Sequence, residues 1–228
     1  MYRYETHLHT YPVSACGQAG VEESIAFYKE LGYDGVFVTN HFLDGNINID
    51  PSLPYAERIH FYFSDYEQAV QIGQKLGIRV FCGVELSESG TDFLIYGLDK
   101  AWFLTHPEIM TMSKKEELRL MMACGALVIH AHPYREAHYI DHIRLYPREV
   151  HAVEVINANR TDEENEMAKK YAEHYGLPAF AGSDNHFGRK ARALAGMESR
   201  EPIRDVQDFI TKVKNRDMRP FFCRCNLD

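Results

Sequence analysis

The chain repeats one unit four times, in which an amphipathic helical pattern runs through a glycine into a short apolar stretch. A glycine just past a helix supplies the left-handed residue that ends it. The junctions are Glu30-Leu31-Gly32 before 35–39, Lys75-Leu76-Gly77 before 78–84, Ala123-Cys124-Gly125 before 126–129 and His174-Tyr175-Gly176 before 177–181. Helices that alternate with short, nearly continuous apolar strands predict a parallel sheet covered by helices.

Three capping-box patterns, Ser64-x-x-Glu67, Ser113-x-x-Glu116 and Thr161-x-x-Glu164, predict helix starts. We predict seven strands, at 2–6, 35–40, 78–85, 92–98, 126–131, 152–156 and 178–183, then a helix near 203–216 and a further short strand at 221–223. This order favours an α/β barrel, of a TIM-barrel-like (β/α)7 type, over a doubly wound sheet. At 228 residues and 45% hydrophobic, a single domain over 1–228 is expected.

One long stretch, Leu43–Phe63, shows no regular period and contains Pro51 and Pro54. It reads as a folded loop over one face of the protein. Two interpretations stay open, a packed surface excursion and a lid over a substrate.

Ligand-type side chains follow the predicted strands at their carboxyl ends. They are His7 and His9 after the first strand, His41 after the second, Glu85 at the third, His132 after the fifth, and Asp184 with His186 after the seventh. Because the carboxyl ends of parallel strands meet at one mouth, we expect these groups to lie together. Histidine and carboxylate side chains bind first-row metal ions. The sequence therefore predicts a metal site at the carboxyl ends of the strands.

Seven ligand groups exceed what one ion needs, because zinc-like sites take three or four protein ligands. Glu85 is the natural carboxylate to bridge two ions. Two ions about 3.5–4 Å apart can hold both the attacking and the leaving oxygen of a phosphoryl displacement.

As a set, these motifs resemble the PHP family, named for polymerase and histidinol phosphatase, and most closely its small stand-alone phosphoesterases. The matching motifs are His7-Leu8-His9-Thr10, Thr39-Asn40-His41, Gly83-Val84-Glu85, His132-Pro133 and Gly182-Ser183-Asp184-Asn185-His186. The resemblance implies a distorted β/α barrel and a phosphoesterase site with two or three divalent ions (Zn, Mn or Fe).

By that resemblance, His7, His9, Glu85 and Asp184 hold one ion, Glu85 and His132 a second, and His41 with His186 a third. Two positions depart from the family pattern. Asp92 stands where many members have a histidine, so it either replaces that ligand or leaves the second ion to water. Cys16 stands where an aspartate or histidine often serves the third ion, so it is either a soft ligand or a small residue in a tight loop.

The resulting hypothesis is hydrolysis of phosphoesters by a metal-activated water. Glu85 and His186 are the candidate catalytic residues, His186 as a proton donor to the leaving group if it is not a ligand. Arg135, three residues after His132, is either a phosphate clamp or a surface salt bridge. Glu154, a charged residue in an apolar strand, is expected to orient a ligand histidine.

Two other functions stay open. A metal-dependent amidohydrolase also begins with HxH on the first barrel strand, but such sites commonly use a lysine where this chain has Glu85. The other is a non-catalytic metal-binding module.

The composition limits the classes of substrate and the cellular location that we expect for this protein. A net charge of −8 disfavours broad binding to nucleic acid, so a small phosphorylated substrate is expected, with nucleic acid only as a short substrate. The absence of a signal-peptide pattern, of a long apolar run and of a disulfide-type cysteine spacing among five cysteines predicts a cytoplasmic protein without membrane contact.

Overall fold

Nine strands and six α-helices lie along residues 1–225, the part of the chain that the computed structural model describes. The strands are β1 Tyr2–Leu8, β2 Gly35–Val38, β3 Arg79–Glu88, β4 Thr91–Tyr96, β5 Leu127–Ala131, β6 Ala152–Asn157, β7 Ala179–Gly182, β8 Ala193–Ser199 and β9 Met218–Arg224. The helices are α1 Val21–Glu30, α2 Tyr55–Leu76, α3 Lys100–Thr105, α4 Lys114–Ala123, α5 Asp162–Tyr175 and α6 Val206–Lys214.

The strands form one sheet in the order β7-β6-β5-β4-β3-β2-β1-β8-β9. The segment after β7 returns to β1, where His9 N donates to Asn185 O (3.2 Å) and Asn185 N donates to His7 O (3.3 Å). The sheet is therefore curled into a nearly closed barrel, which confirms the predicted α/β class and its barrel shape.

The prediction of seven parallel strands is wrong in number and in direction. β4 pairs antiparallel with both β3 and β5, because a two-residue turn, Ser89-Gly90, joins β3 to β4 directly. Both turn residues have positive φ, 51° and 87°, as tight hairpin turns require. β8 and β9 add two more antiparallel strands on the other side of β1.

Aromatic and aliphatic side chains fill the barrel interior, among them Tyr4, Phe37, Tyr96 and Phe180. Phe209 of α6 packs on Phe37, with ring centroids 4.3 Å apart, and closes the end of the barrel where the parallel strands begin. Burying a phenylalanine in this way contributes about 2 kcal/mol. The interior is thus filled at one end, and the polar groups lie at the other.

Local signals predicted most helix ends. The four junction glycines, at 32, 77, 125 and 176, all have left-handed φ, between 66° and 91°. The capping boxes at Ser113 and Thr161 are both formed. The box at Ser64 is wrong, because Ser64 lies inside α2 and its hydroxyl donates to Phe61 O (2.6 Å).

The predicted loop Leu43–Phe63 is also shorter than expected. α2 begins at Tyr55, directly after Pro54, so the second half of that stretch is helical. Proline with its fixed φ is well placed just ahead of a helix. No helix within residues 1–225 is long and apolar enough to cross a membrane.

Candidate metal centre

The seven predicted ligands lie together at one mouth of the barrel. His7 and Glu85 belong to β1 and β3, and the others follow the carboxyl ends of their strands: His9 after β1, His41 after β2, His132 after β5, and Asp184 with His186 after β7. The side chains of His7, His9, Glu85, His132 and Asp184 are almost completely buried.

The carboxylate of Glu85 is the centre of the cluster, and each of its oxygens faces two imidazoles. Oε1 lies 3.1 Å from His7 Nε2 and 3.3 Å from His132 Nε2. Oε2 lies 2.8 Å from His41 Nδ1 and 3.2 Å from His9 Nε2. This is the arrangement of a carboxylate that joins two neighbouring ligand sets.

Asp184 closes the cluster from the opposite side of the barrel. Its Oδ1 lies 2.9 Å from His186 Nε2, 3.3 Å from His9 Nε2 and 3.5 Å from His7 Nε2. Its Oδ2 lies 3.9 Å from His132 Nε2. The first and last strands of the parallel set therefore contribute to the same centre.

Several of these atoms are buried without a hydrogen bond. Among residues 1–225, both carboxylate oxygens of Glu85 and the Nδ1 atoms of His41 and His186 are buried and have no partner of acceptable geometry. Such orphaned polar atoms are costly unless an ion satisfies them. The ligand atoms fall into four groups, each within 4.8 Å: His7 with His9 and Asp184; His7 with Glu85 and His132; His9 with His41 and Glu85; and His9 with Cys16 and His186. The donor set fits divalent cations.

Opposite charges within the cluster shift one another's pKa values. Burial raises the pKa of Glu85, but the positive charges of His41, His7 and His9 outweigh it and hold the pKa well below the usual range. Burial lowers the pKa of His186, whereas Asp184 opposes it and raises the pKa to about 9. A bound cation would compete with protons for these imidazoles.

One buried carboxylate supports two of the candidate ligands. Glu154 Oε1 lies 2.9 Å from His7 Nδ1, and Glu154 Oε2 accepts from the backbone N–H of His132 (3.0 Å). Asn157 Nδ2 also donates to Glu154 Oε2 (2.9 Å). The contact between Glu154 and a ligand histidine that the sequence predicted is therefore present.

Sequence reasoning missed the partner of His9. Ser14 Oγ donates to Asn40 Oδ1 (2.9 Å), so it accepts from His9 Nδ1 (3.1 Å) and from the backbone N–H of His41 (3.1 Å). A proton on His9 Nδ1 leaves the Nε2 lone pair free to bind a metal ion. A serine five residues after a histidine carries no strong sequence signal.

The backbone is strained where two candidate ligands leave their strands. Asp184 has φ 51° and His132 has φ 25°, both in a region that non-glycine residues rarely adopt. Gly182 permits the close approach of β7 to β1, because a Cβ there would lie 2.4 Å from His7 Cβ. Backbone strain and close strand packing thus both occur at the candidate metal centre.

Comparisons with known proteins identify one matching segment of the chain and several structures of similar fold. A family model described as PHP-associated matches residues 162–218, the segment that contains Asp184 and His186. The matched segment is similar to PHP-associated sequences. No curated protein matches the sequence of the chain significantly.

The fold of this chain is similar to that of several solved structures of low identity. One is a two-domain protein of Bacteroides vulgatus that contains a predicted PHP-like metal-dependent phosphoesterase, at TM-score 0.69 and 16% identity over 96% of this chain. The chain spans 64% of that protein's length. A second is a candidate metal-dependent phosphoesterase of Bifidobacterium adolescentis, at TM-score 0.58 and 14% identity over 94% of this chain and 96% of that one.

A third structure carries a different description. It is an amidohydrolase of Chromobacterium violaceum with bound sulfate and no metal, at TM-score 0.56 and 14% identity over 83% of this chain and 89% of the other. At these identities the likeness concerns the fold.

Arg135 lies at the mouth of the barrel, where a carboxylate pairs with it. Its Nη1 donates to Asp92 Oδ2 (3.2 Å), and its guanidinium lies over the ring of Tyr139. Both Arg135 and Asp92 line a cavity of about 520 Å³ that opens onto Glu85. Arg135 is thus salt-bridged and lies in the mouth, and its role as a phosphate clamp stays a prediction.

Asp92 itself lies at the edge of the centre. Its Oδ2 is 3.8 Å from His132 Nε2. It belongs to none of the four close ligand groups found among residues 1–225.

Arg160 is a second cation of the mouth that the sequence reasoning did not single out. It follows β6 and lines both the cavity over Glu85 and an adjoining cavity of about 710 Å³, which also contains Lys190 and Arg192. Within the described chain Arg160 has no salt bridge, and its buried Nε has no hydrogen-bond partner. Its position after a strand end was the available signal.

Cys16 reaches the cluster from the loop after β1. Burial raises the pKa of its thiol, but the neighbouring imidazoles of His186 and His41 outweigh this and lower the pKa to about 5. His130, by contrast, lies apart from the cluster, because it stacks on Phe93 at 5.1 Å and contacts the Tyr171 hydroxyl at 3.4 Å.

Proposed function

We propose that this protein is a PHP-type metal-dependent phosphoesterase that hydrolyses small phosphorylated substrates at a site with two or three divalent ions, placed at the carboxyl ends of the parallel strands. The observation that carries the proposal is the Glu85 carboxylate, fully buried and free of hydrogen bonds within residues 1–225, with two imidazoles facing each oxygen. A buried carboxylate of this kind is stable only with compensating positive charge.

The proposed ligand assignment keeps the three sets implied by the family. His7, His9, Glu85 and Asp184 hold the first ion, Glu85 and His132 the second, and His41 with His186 the third. When bound, the ions supply Lewis acidity, which lowers the pKa of a water molecule and offsets the charge of phosphoryl oxygens. Zinc, manganese and iron all suit imidazole with carboxylate.

Phosphate binding and proton delivery are assigned to side chains of this chain. Arg135 and Arg160 lie on the walls of the cavity over Glu85, where a guanidinium can hold phosphate oxygens with two hydrogen bonds. His186, whose side chain is 15% exposed at the mouth, would deliver a proton to the leaving oxygen in any state in which it is not a ligand. The acidic net charge of −8 fits a small substrate or a short oligonucleotide better than a long polyanion. A cytoplasmic location stays a prediction.

An amidohydrolase is the second candidate, favoured by the description of the Chromobacterium structure. This chain has Glu85 where amidohydrolase sites commonly use a lysine, which favours the phosphoesterase.

The test begins with elemental analysis, followed by a panel of phosphomonoesters, nucleotides, short oligonucleotides and amides with Mn, Zn and Fe. Glu85→Ala should remove both the bound metal and the hydrolysis of a chromogenic phosphoester, whereas Glu57→Ala on the exposed face of α2 should change neither. Full activity of Glu85→Ala would overturn the assignment. Metal binding without hydrolysis of any phosphoester would revive the non-catalytic module, and cleavage of amides alone would favour the amidohydrolase.

A further inference from the structure

We infer that the Cys16 sulfur is a ligand of the third ion, so that this position combines thiolate with imidazole and prefers zinc or ferrous iron over magnesium or manganese. The inference rests on the proposed metal centre and adds to it a residue and a metal preference.

The position of the sulfur is the first step. Cys16 Sγ and one ring nitrogen from each of His9 and His186 all lie within 4.8 Å of one another. Within residues 1–225 no other cysteine enters such a group.

The loop that presents Cys16 is held on two sides. Ala15 N donates to Asn46 O (2.9 Å), and Gln18 N donates to His186 O (2.7 Å). Gly17 turns the chain so tightly that a Cβ there would lie 2.9 Å from the Thr10 carbonyl carbon. The backbone therefore holds the thiol beside His186 through contacts that the other cysteines lack.

A second observation concerns the carboxylate of Glu85, which lies beside the ligand group of Cys16. Glu85 Oε2 is buried, has no hydrogen bond among the described residues, and lies close to His41 and His9, which form their own ligand group with it. His9 belongs to this group and to the group of Cys16. An anionic oxygen and a thiol thus face one set of imidazoles, an arrangement that a cation would satisfy.

The chemistry of the donors then sets the metal. Thiolate is a soft ligand that selects zinc, iron or cobalt, whereas magnesium and manganese prefer oxygen donors. With cysteine in place of an oxygen donor, the third position should discriminate among metals more strongly than the other two.

Cobalt(II) is the probe, because thiolate ligation gives an intense near-ultraviolet charge-transfer band that imidazole and carboxylate do not. We would titrate metal-free full-length protein with cobalt chloride, together with Cys16→Ser, Cys16→Asp and the exposed control Cys124→Ser. The band is expected in wild type and in Cys124→Ser, and should be absent from both Cys16 variants. Competition titrations should show a zinc-to-manganese preference at least tenfold lower in Cys16→Asp.

The possible results distinguish failure of the Cys16 inference from failure of the whole metal centre. A band that persists in Cys16→Ser, or full cobalt loading of wild type without a band, overturns the role of Cys16 and leaves the proposed function standing. Wild type that binds no cobalt overturns the metal centre and this inference together. If the Cys16 variants do not fold, alkylation of wild type read by mass spectrometry decides, since bound zinc must protect Cys16 and leave Cys124 reactive.

Discussion

Glu154 Oε1 and His7 Nδ1 lie 2.9 Å apart in the fully buried part of the site, although the two residues are separated by 147 positions in the chain. A hydrogen bond to a carboxylate fixes the tautomer of a ligand histidine and makes its other nitrogen more basic. Because Glu154 also holds the backbone of His132, its loss should affect two ligands.

We therefore expect Glu154→Gln to lower metal affinity by about 10- to 100-fold. Competition with a chromogenic chelator measures the affinity. Glu166→Gln, on the exposed side of α5, is the matched control. Unchanged affinity in Glu154→Gln would mean that His7 needs no orienting partner.

Gly182→Ala tests the close approach of β7 to β1. The new methyl group would meet His7 Cβ at 2.4 Å and Glu154 Oε1 at 2.8 Å, so His7 must shift. We expect a loss of about 1–3 kcal/mol in the free energy of unfolding and substoichiometric metal. Chemical denaturation and elemental analysis measure the two effects. Gly20→Ala, where nothing lies within 4 Å of the added carbon, should retain full metal content.

The two arginines of the mouth should differ in their effect on substrate binding. Arg160 lacks a carboxylate partner in the described chain, whereas Arg135 is paired with Asp92 at 3.2 Å. Arg160→Ala should raise KM for a phosphoester by about tenfold or more, the value of one charged hydrogen bond. Arg135→Ala should raise it less, and Arg148→Ala on the surface should not raise it. The reverse order would show that Arg135 leaves Asp92 to bind phosphate.

Stability should depend on pH through a buried acid that belongs to none of the four ligand groups among residues 1–225. Glu117 shares Lys114 with Asp44, at 2.6 Å and 2.7 Å. Burial raises the pKa of Glu117 most, Lys114 lowers it and Asp44 raises it, and the result is about 7. Because the folded state favours the neutral acid, this contribution to stability is complete below the unfolded pKa near 4.5 and is lost as the pH rises to about 7.

Glu117→Gln should therefore gain stability relative to wild type between pH 4.5 and 7, by roughly 3 kcal/mol at most. Urea denaturation at pH 5 and pH 8 gives the difference, with the exposed Glu57→Gln as the control. An equal pH dependence in wild type and Glu117→Gln would show that Glu117 stays ionised in the fold.

The sequence predicted the parallel part of the fold because its signals are local. A glycine needs only its own φ, and the capping box of Thr161 needs only the Glu164 side chain three residues on. The start of α2 was missed because Ser64 fits the capping pattern equally well inside a helix. β8 was missed because Ala193–Ser199 is rich in small residues, and Gly196 is required there by the Tyr4 carbonyl, a contact between distant residues.

The ligand positions were predictable for a different reason. Strand ends converge in any parallel barrel, so His41 and Asp184 could be placed together without knowledge of their contacts. The supporting residues Ser14 and Arg160 could not, because a serine or an arginine in a loop is compatible with many roles.

The reversed direction of β4 has a consequence for how the mouth can vary. Its first residues, with Asp92 among them, lie at the mouth, and the Ser89-Gly90 turn that precedes them also lines the cavity over Glu85. A change in the length of this hairpin would alter the rim directly while the barrel core, closed by α6, stays as it is. Loop grafting at Ser89-Gly90 is therefore a route to redesigning what the mouth admits.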